Sequence, residues 1–306
     1  MSETLDLVII GAGPAGIAAG IYASRAMLSF VLLEKSFAGG QIVNTYEIEN
    51  YPGIKSTSGF ELSTMFREHA EELGVEFKSE EVQEIILDKE IKTVVTNSET
   101  YKAKTVILAT GASWRKLGVE GEDKFSGMGV SYCATCDGAF YRQKVTAVVG
   151  GGDVAVEDAI YLARLCKKVY LIHRRDELRA VKVLQEHLFK MDNIEILWDH
   201  EVDEIVGDQA VAEIHVHNNK TDEAKILAVD GVFVAVGSTP NSQLANEQLE
   251  MDPKGWIKTN DDCETNVPGV FAAGDLRVKS LRQVLTAASD GAVSVYAAER
   301  YMVMNG

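Results

Sequence analysis

The chain has 306 residues, 46% of them hydrophobic, which is enough for two domains with separate cores. Asp and Glu outnumber Lys and Arg by 46 to 30, and the resulting net charge of −16 opposes binding to nucleic acid phosphates or to an anionic membrane surface. Four cysteines, only two of them closely spaced, do not make the framework of a disulfide-stapled secreted protein, so a reducing cytoplasm is the expected setting.

An apolar strand over Leu5–Ile10 runs into Gly11-Ala12-Gly13-Pro14-Ala15-Gly16 and then into an alanine-rich helix to about Met27. Residues 7–24 carry no charge, but Glu3 and Asp6 precede them and glycines and a proline interrupt them. The stretch therefore reads as strand, turn and helix rather than as a leader or a membrane span. The glycines let the backbone turn tightly and approach a pyrophosphate, which then lies on the positive end of the helix. A second strand, residues 29–33, ends at Glu34, a carboxylate able to accept hydrogen bonds from both ribose hydroxyls of an adenosine. A later strand, residues 105–109, ends in the turn Thr110-Gly111.

Cys133-Ala134-Thr135-Cys136-Asp137 follows. Two cysteines separated by two residues can close a small disulfide ring, whose opening and closing moves two electrons at a time, and Asp137 beside them suits either the movement of a proton or, before Gly138, a turn or helix cap. A structural zinc site would need four ligands, and no second CxxC or paired Cys/His motif supplies them. Cys166 and Cys263 read as isolated thiols.

The strand, glycine turn and helix pattern then recurs: residues 144–149, Gly150-Gly151-Gly152-Asp153-Val154-Ala155, a helix to about Leu165, and a strand over 168–172. The interval from Gly11 to Glu34 equals that from Gly150 to His173, so His173 stands where the first unit carries its acid. Arg174, Arg175 and Arg179 accompany it. A carboxylate there would repel a 2′-phosphate, whereas an arginine cluster holds one by forked, charge-assisted hydrogen bonds, which points to NADP(H). His215 and His217 share a strand face just before the turn Asn218-Asn219-Lys220 and read as solvent-facing. A strand over residues 231–236 ends at Gly237, and Val270-Phe271-Ala272-Ala273-Gly274-Asp275 looks like one more strand ending at a phosphate or ribityl contact.

The first domain thus resumes after the second is complete. The fold class is α/β, with two Rossmann-like, doubly wound dinucleotide-binding domains. A discontinuous FAD domain of residues 1–114 and 241–306 encloses an NADP domain of residues 115–240 that carries the CxxC. The crossings near Ser113 and Thr239 form two adjacent linkers, a hinge.

With these residues in hand the chain resembles the bacterial, low-molecular-weight thioredoxin reductases over essentially its full length. The match covers the GAGPAG turn, Gly39-Gly40-Gln41, Glu49-Asn50-Tyr51-Pro52-Gly53, Ala109-Thr110-Gly111, CATCDG, HRRDELRA and the GDLRVKSLRQV segment that begins at Gly274. The resemblance implies that Gly39, Gly40, Gln41 and Asn50 lie near the isoalloxazine ring and that Asp275 meets the ribityl-phosphate region of FAD. It also implies that Arg282, Gln283 and Val284 open a helix against the flavin, where unpaired N–H groups stabilise the charge of the reduced ring. Electrons would pass from NADPH through FAD to the Cys133–Cys136 disulfide and on to thioredoxin, with Cys136 nearest the flavin and Cys133 the interchange thiol. A homodimer, and rotation of one domain against the other, are implied by the same resemblance. Reduction of another disulfide carrier, glutaredoxin-like or peroxiredoxin-linked, uses the same motifs, and a redox-sensing nucleotide-binding protein is the reading from another class. A peroxide-making oxidase would leave the dithiol without a task, and ferredoxin-type NADP reductases lack the CxxC. Phe140 and Tyr141 beside the dithiol suit either an apolar landing site for thioredoxin or a core.

Overall fold

A computed structural model describes residues 4–45 and 48–305. The chain divides into two compact units, one of Met1–Thr45, Thr57–Ser113 and Thr239–Gly306, the other of Tyr46–Ser56 and Trp114–Ser238. The stretch 48–56, expected from the sequence within the FAD domain, groups with the second unit, and Asn50 goes with it.

The first unit opens with β1 (Leu5–Ile10), α1 (Pro14–Arg25) and β2 (Phe30–Glu34). Proline in the first turn of α1 suits the fixed φ of a helix start. The helix stops short of the predicted end because Met27 adopts a left-handed φ of 55° that reverses the chain into β2. Next comes α2 (Gly59–Glu72), whose start is held by a capping box: Glu61 N–H donates to Ser58 Oγ at 3.1 Å and Ser58 N–H returns to the Glu61 carboxylate at 3.0 Å. Then follow β3 (Phe77–Ser79), β4 (Val82–Ile86), β5 (Lys92–Thr96) and β6 (Thr100–Leu108). β6 begins earlier than its apolar half predicts, because its polar first half pairs antiparallel with β5.

The crossing strand β7 (Ala112–Trp114) leads to the second unit. There β8 (Val130–Ser131), α3 (Ala134–Asp137), β9 (Val145–Val149), α4 (Asp153–Ala163), β10 (Lys168–His173), α5 (Lys182–Leu188) and β11 (Ile194–Trp198) come first. An antiparallel sheet of β12 (His200–Gly207), β13 (Val211–Asn218) and β14 (Ala224–Ala228) follows, and then β15 (Gly231–Val234). The central sheet runs β11-β10-β9-β15-β8, every neighbouring pair parallel. The return crossing β16 (Ser238–Pro240) pairs with β7, so the two linkers lie side by side.

Back in the first unit, β17 (Val270–Ala272) pairs parallel with the second half of β6, and α6 (Val284–Asn305) closes on α1. The completed sheet runs β3-β2-β1-β6, all parallel, and continues antiparallel through β5 and β4. Both faces are covered, which is why its inner strands read as unbroken apolar runs. Leu7 and Ile9 face a cluster with Ile17, Phe271 and Val295, whereas Val8 and Ile10 face Leu33, Val106 and Leu276 on the other side. The second unit repeats this division, with Val148, Val156, Leu171 and Phe233 on one face and Ala147, Val149, Ile172 and Val232 on the other.

Candidate functional site

In the first unit, a Cβ on Gly11 (φ 104°) would lie 2.5 Å from the Ala109 carbonyl oxygen, and one on Gly16 would lie 1.7 Å from the Gly11 oxygen. These two positions admit no side chain. Gly13, between them, faces open space apart from Gly40, 3.9 Å from its added Cβ. Pro14 and Ala15 then open α1. The Gly39-Gly40 turn folds over this cradle, with Gly39 N–H donating to the Ala12 carbonyl at 2.7 Å and Gln41 exposed next to it. Glu34 is pinned beside the cradle: its carboxylate accepts Ala12 N–H at 2.8 Å and Ser36 N–H at 2.9 Å.

Thr110 and Gly111 are held by a residue the sequence reading missed. Asn241 receives the Thr110 hydroxyl proton on its carbonyl at 2.7 Å, returns its side-chain amide to the Thr110 carbonyl at 2.9 Å, and donates its N–H to Gly111 at 3.0 Å. The turn is thereby fixed by a segment far along the chain, a pairing with no local signal.

Asp275 and Arg282 each leave a buried polar atom, Oδ1 and Nε, without a hydrogen-bond partner among the described residues. Burial pushes the Asp275 carboxyl above the usual carboxylate range. Buried polar atoms are normally paired, so one unpaired acceptor and one unpaired donor in this segment suit a bound ligand that offers both hydroxyls and phosphates. These residues therefore fit FAD. The Arg282 guanidinium stacks on Trp256, 3.8 Å from the ring centroid. Gln283 N–H is taken by the Thr286 hydroxyl at 3.1 Å, and α6 begins at Val284.

Asp290 is the second residue missed. It is buried on α6 and gathers Arg277 Nε and Nη2, both at 2.9 Å, Lys279 Nζ at 2.8 Å and Gly274 N–H at 3.0 Å. These partners hold its carboxyl below the usual range in spite of burial. The available signal was that Asp290 is the lone charge between Val284 and Ala298.

In the second unit, Cys133 and Cys136 form a disulfide with their Cα atoms 5.2 Å apart. The one-turn helix α3 sets this spacing, with the Cys136 and Asp137 N–H groups both donating to the Cys133 carbonyl at 3.2 and 3.1 Å. Ser131, not foreseen from sequence, donates its hydroxyl proton to Asp137 Oδ2 at 2.5 Å and accepts Cys133 N–H at 3.1 Å. Asp137 Oδ1 is buried and has no partner among the described residues. Burial raises the Asp137 pKa, against the lowering effect of the Ser131 bond. A carboxyl so placed holds its proton to higher pH than a solvated one, as an acid next to a thiolate must. Tyr141 points inward: its ring meets Phe233 edge-on at 5.2 Å, and desolvation pushes its hydroxyl up to about 12.

At the second glycine turn, a Cβ on Gly150 (φ 154°) would lie 2.5 Å from the Ala235 oxygen, whereas one on Gly152 would meet nothing within 4 Å. Asp153 opens α4 and accepts Val181 N–H at 2.8 Å. His173 is buried, with its ring beneath Gly151, where an added Cβ would come within 2.2 Å of it, and its Nε2 lies 2.9 Å from the Glu177 carbonyl. His173, expected from the sequence among the cofactor contacts, lies under the turn, where a flat ring fits against a residue with no side chain. Burial, with Arg179, Arg175 and Arg174 nearby, lowers its pKa. The three arginines are exposed, and none has an ion-pair partner among the described residues.

His215 and His217 pair with carboxylates, Glu204 and Glu213 for the first and Asp203 at 2.7 Å for the second. Among the described residues no helix is long and apolar enough to cross a membrane.

The family model for pyridine nucleotide-disulphide oxidoreductases matches residues 5–291. A thioredoxin reductase of Listeria innocua is 46% identical over 97% of this chain and 93% of its own length, and one of Bacillus subtilis is 45% identical over 97% and 94%. The crystal structure of thioredoxin reductase from Streptococcus pyogenes superposes with a TM-score of 0.95 at 45% identity, covering 99% of this chain and all of that one. The chain belongs to the pyridine nucleotide-disulphide oxidoreductases, among the thioredoxin reductases.

Proposed function

We propose that the protein is an NADPH-dependent thioredoxin-disulfide reductase that holds FAD in its first unit and NADPH in its second. The observation that carries this reading is the Cys133–Cys136 disulfide beside a buried Asp137, in the same unit as a second glycine turn with three arginines that have no ion-pair partner among the described residues. When bound, NADPH is the source of electrons and FAD relays them two at a time. Gly13 gives the FAD pyrophosphate close access to the backbone, Glu34 receives the ribose hydroxyls, Gly40 lies toward the isoalloxazine ring, and Asp275 and Arg282 offer their open atoms to the ribityl and flavin polar groups. Gly152 and the start of α4 take the NADPH pyrophosphate, and Arg174, Arg175 and Arg179 its 2′-phosphate.

The chemistry of the chain itself is thiol exchange. Two electrons and two protons open the Cys133–Cys136 disulfide to a dithiol, and Asp137 is placed to give or take one of those protons. The Cys133 thiolate then attacks the thioredoxin disulfide, forming a mixed disulfide and displacing one thioredoxin thiolate, which takes up a proton. Cys136 attacks Cys133, re-forming the internal disulfide and releasing reduced thioredoxin. A cytoplasmic setting and a homodimer complete the proposal, supported by the cysteine pattern and by family resemblance respectively.

The deciding experiment follows flavin absorbance anaerobically during additions of NADPH, NADH and then oxidised thioredoxin. Bleaching by NADPH at low concentration, with colour restored by thioredoxin in the parent but not in Cys133→Ser, is the expected outcome. Bleaching without restoration by thioredoxin would move the acceptor to another disulfide carrier. No bleaching by either nucleotide would overturn the reading of Gly150 to Arg179.

A further inference from the structure

The arginine loop contains its own obstacle. Asp176 directly follows Arg174 and Arg175 and is exposed. A free carboxylate there would either pair with one of the guanidinium groups or repel a phosphate dianion. Neither pairing is seen among the described residues, because the β13–β14 turn reaches across and takes the carboxylate: Lys220 Nζ lies 3.3 Å from Asp176 Oδ2 and 2.9 Å from Asp199 Oδ1.

The turn is built to do this. Asn218 Oδ1 accepts the N–H groups of Lys220 and Thr221 at 2.9 and 3.1 Å, which fixes the backbone under the lysine. Asn219 donates its side-chain amide to the Arg174 carbonyl at 2.9 Å and to Glu201 at 3.1 Å, and its N–H to the Asp199 carbonyl at 2.7 Å. Asp199, in a left-handed φ of 58° at the β11–β12 corner, donates its own N–H to the Arg175 carbonyl at 3.2 Å. One turn and one corner thus grip the arginine loop by its backbone, and Lys220 pairs with its acid. The ion pair with Lys220 holds the Asp176 carboxyl below the usual carboxylate range.

We propose that Lys220 is a specificity-determining positioning residue, which occupies the Asp176 carboxylate so that Arg174, Arg175 and Arg179 stay free for the 2′-phosphate of NADP(H). The proposal rests on reading the arginine loop as the phosphate site. Lys220 acts through Asp176 and contributes to discrimination between phosphorylated and unphosphorylated nucleotide, not to affinity for the rest of the cofactor.

The test is calorimetric titration of the FAD-loaded protein at low salt with NADP+, NAD+ and 2′,5′-ADP, with thermal unfolding of each variant recorded in parallel. Lys220→Ala should weaken NADP+ and 2′,5′-ADP roughly three- to fivefold, the scale of an exposed charge interaction, with NAD+ and unfolding temperature unchanged. Lys220→Arg should keep parental affinity, and adding Asp176→Asn to Lys220→Ala should restore it. High salt should erase the difference. An unchanged Kd in Lys220→Ala, or an equal loss for NAD+, would overturn the proposal. So would a loss that Asp176→Asn does not repair, which would mean that Lys220 meets the phosphate itself. Arg174→Ala with Arg175→Ala tests the underlying reading separately. If that pair leaves NADP+ binding untouched, the phosphate lies elsewhere and the proposal falls with its premise.

Discussion

Glu34 and His173 stand at equal distances from their glycine turns, and both brace the turn, yet by different means. Glu34 does so by accepting backbone N–H groups, His173 by sliding its ring under Gly151. The interval was legible in the sequence; the inward direction of the imidazole was not, because it follows from burial at the end of β10. Asp137 shows the same limit. Its place beside the dithiol could be read, but its burial and its bond to Ser131 could not. Because its folded pKa is raised, the folded state binds this proton more tightly than the unfolded state. Its contribution to stability is therefore complete below the usual carboxylate pKa and is lost as pH rises through the folded value. Asp137→Asn should remove that fall in a pH series of urea unfolding curves. It should also slow turnover with thioredoxin by about a hundredfold while leaving NADPH bleaching of the flavin intact, as stopped-flow absorbance would resolve.

At the scale of elements, motifs located every strand that carries a glycine turn, because tight turns and apolar runs are written locally. The joints between distant elements were not written that way. The segment from Gly274 to Lys279 is tied to α6 through Asp290, and the turn after β6 is tied to the segment after β16 through Asn241. Removing one partner from a buried charge network leaves the others desolvated and unpaired, so Asp290→Ala should cost about 3–5 kcal/mol in chemical denaturation. The folded pKa of Asp290 is depressed, and its contribution is present above the usual carboxylate pKa and fades as pH falls through the folded value. Parent and variant should therefore converge in stability in strong acid. FAD should also dissociate more readily from the variant, since Asp275 loses its fixed backbone.

At the scale of the molecule, the insertion of one unit in another was legible from the order of glycine turns and late strands. The grouping of residues 48–56 with the second unit was not, because nothing in Glu49-Asn50-Tyr51-Pro52-Gly53 encodes a partner. The first unit needs β17 and α6 to finish its sheet and to cover α1, whereas the central sheet of the second unit lies within Val130–Val234. A chain terminated after Pro240 should therefore yield a protease-resistant fragment beginning near Trp114, with residues 1–113 digested, as mass spectrometry of a limited digest would show.

The closure of α6 on α1 also sets a timetable on the ribosome. Gly291 lies so near Ala15 that an added Cβ would come within 2.1 Å of the Ala15 oxygen, a fit that only the finished helix pair provides. α1 is made early and α6 only after the whole inserted unit, and at roughly 5–20 residues per second α1 waits many seconds for its cover. During that wait the small-residue face of α1 and the open edge of β6 are exposed to chaperones and to neighbouring nascent chains. Yield in the cell should accordingly depend on what shields this half-built sheet, even though the finished protein buries the apolar half of β6.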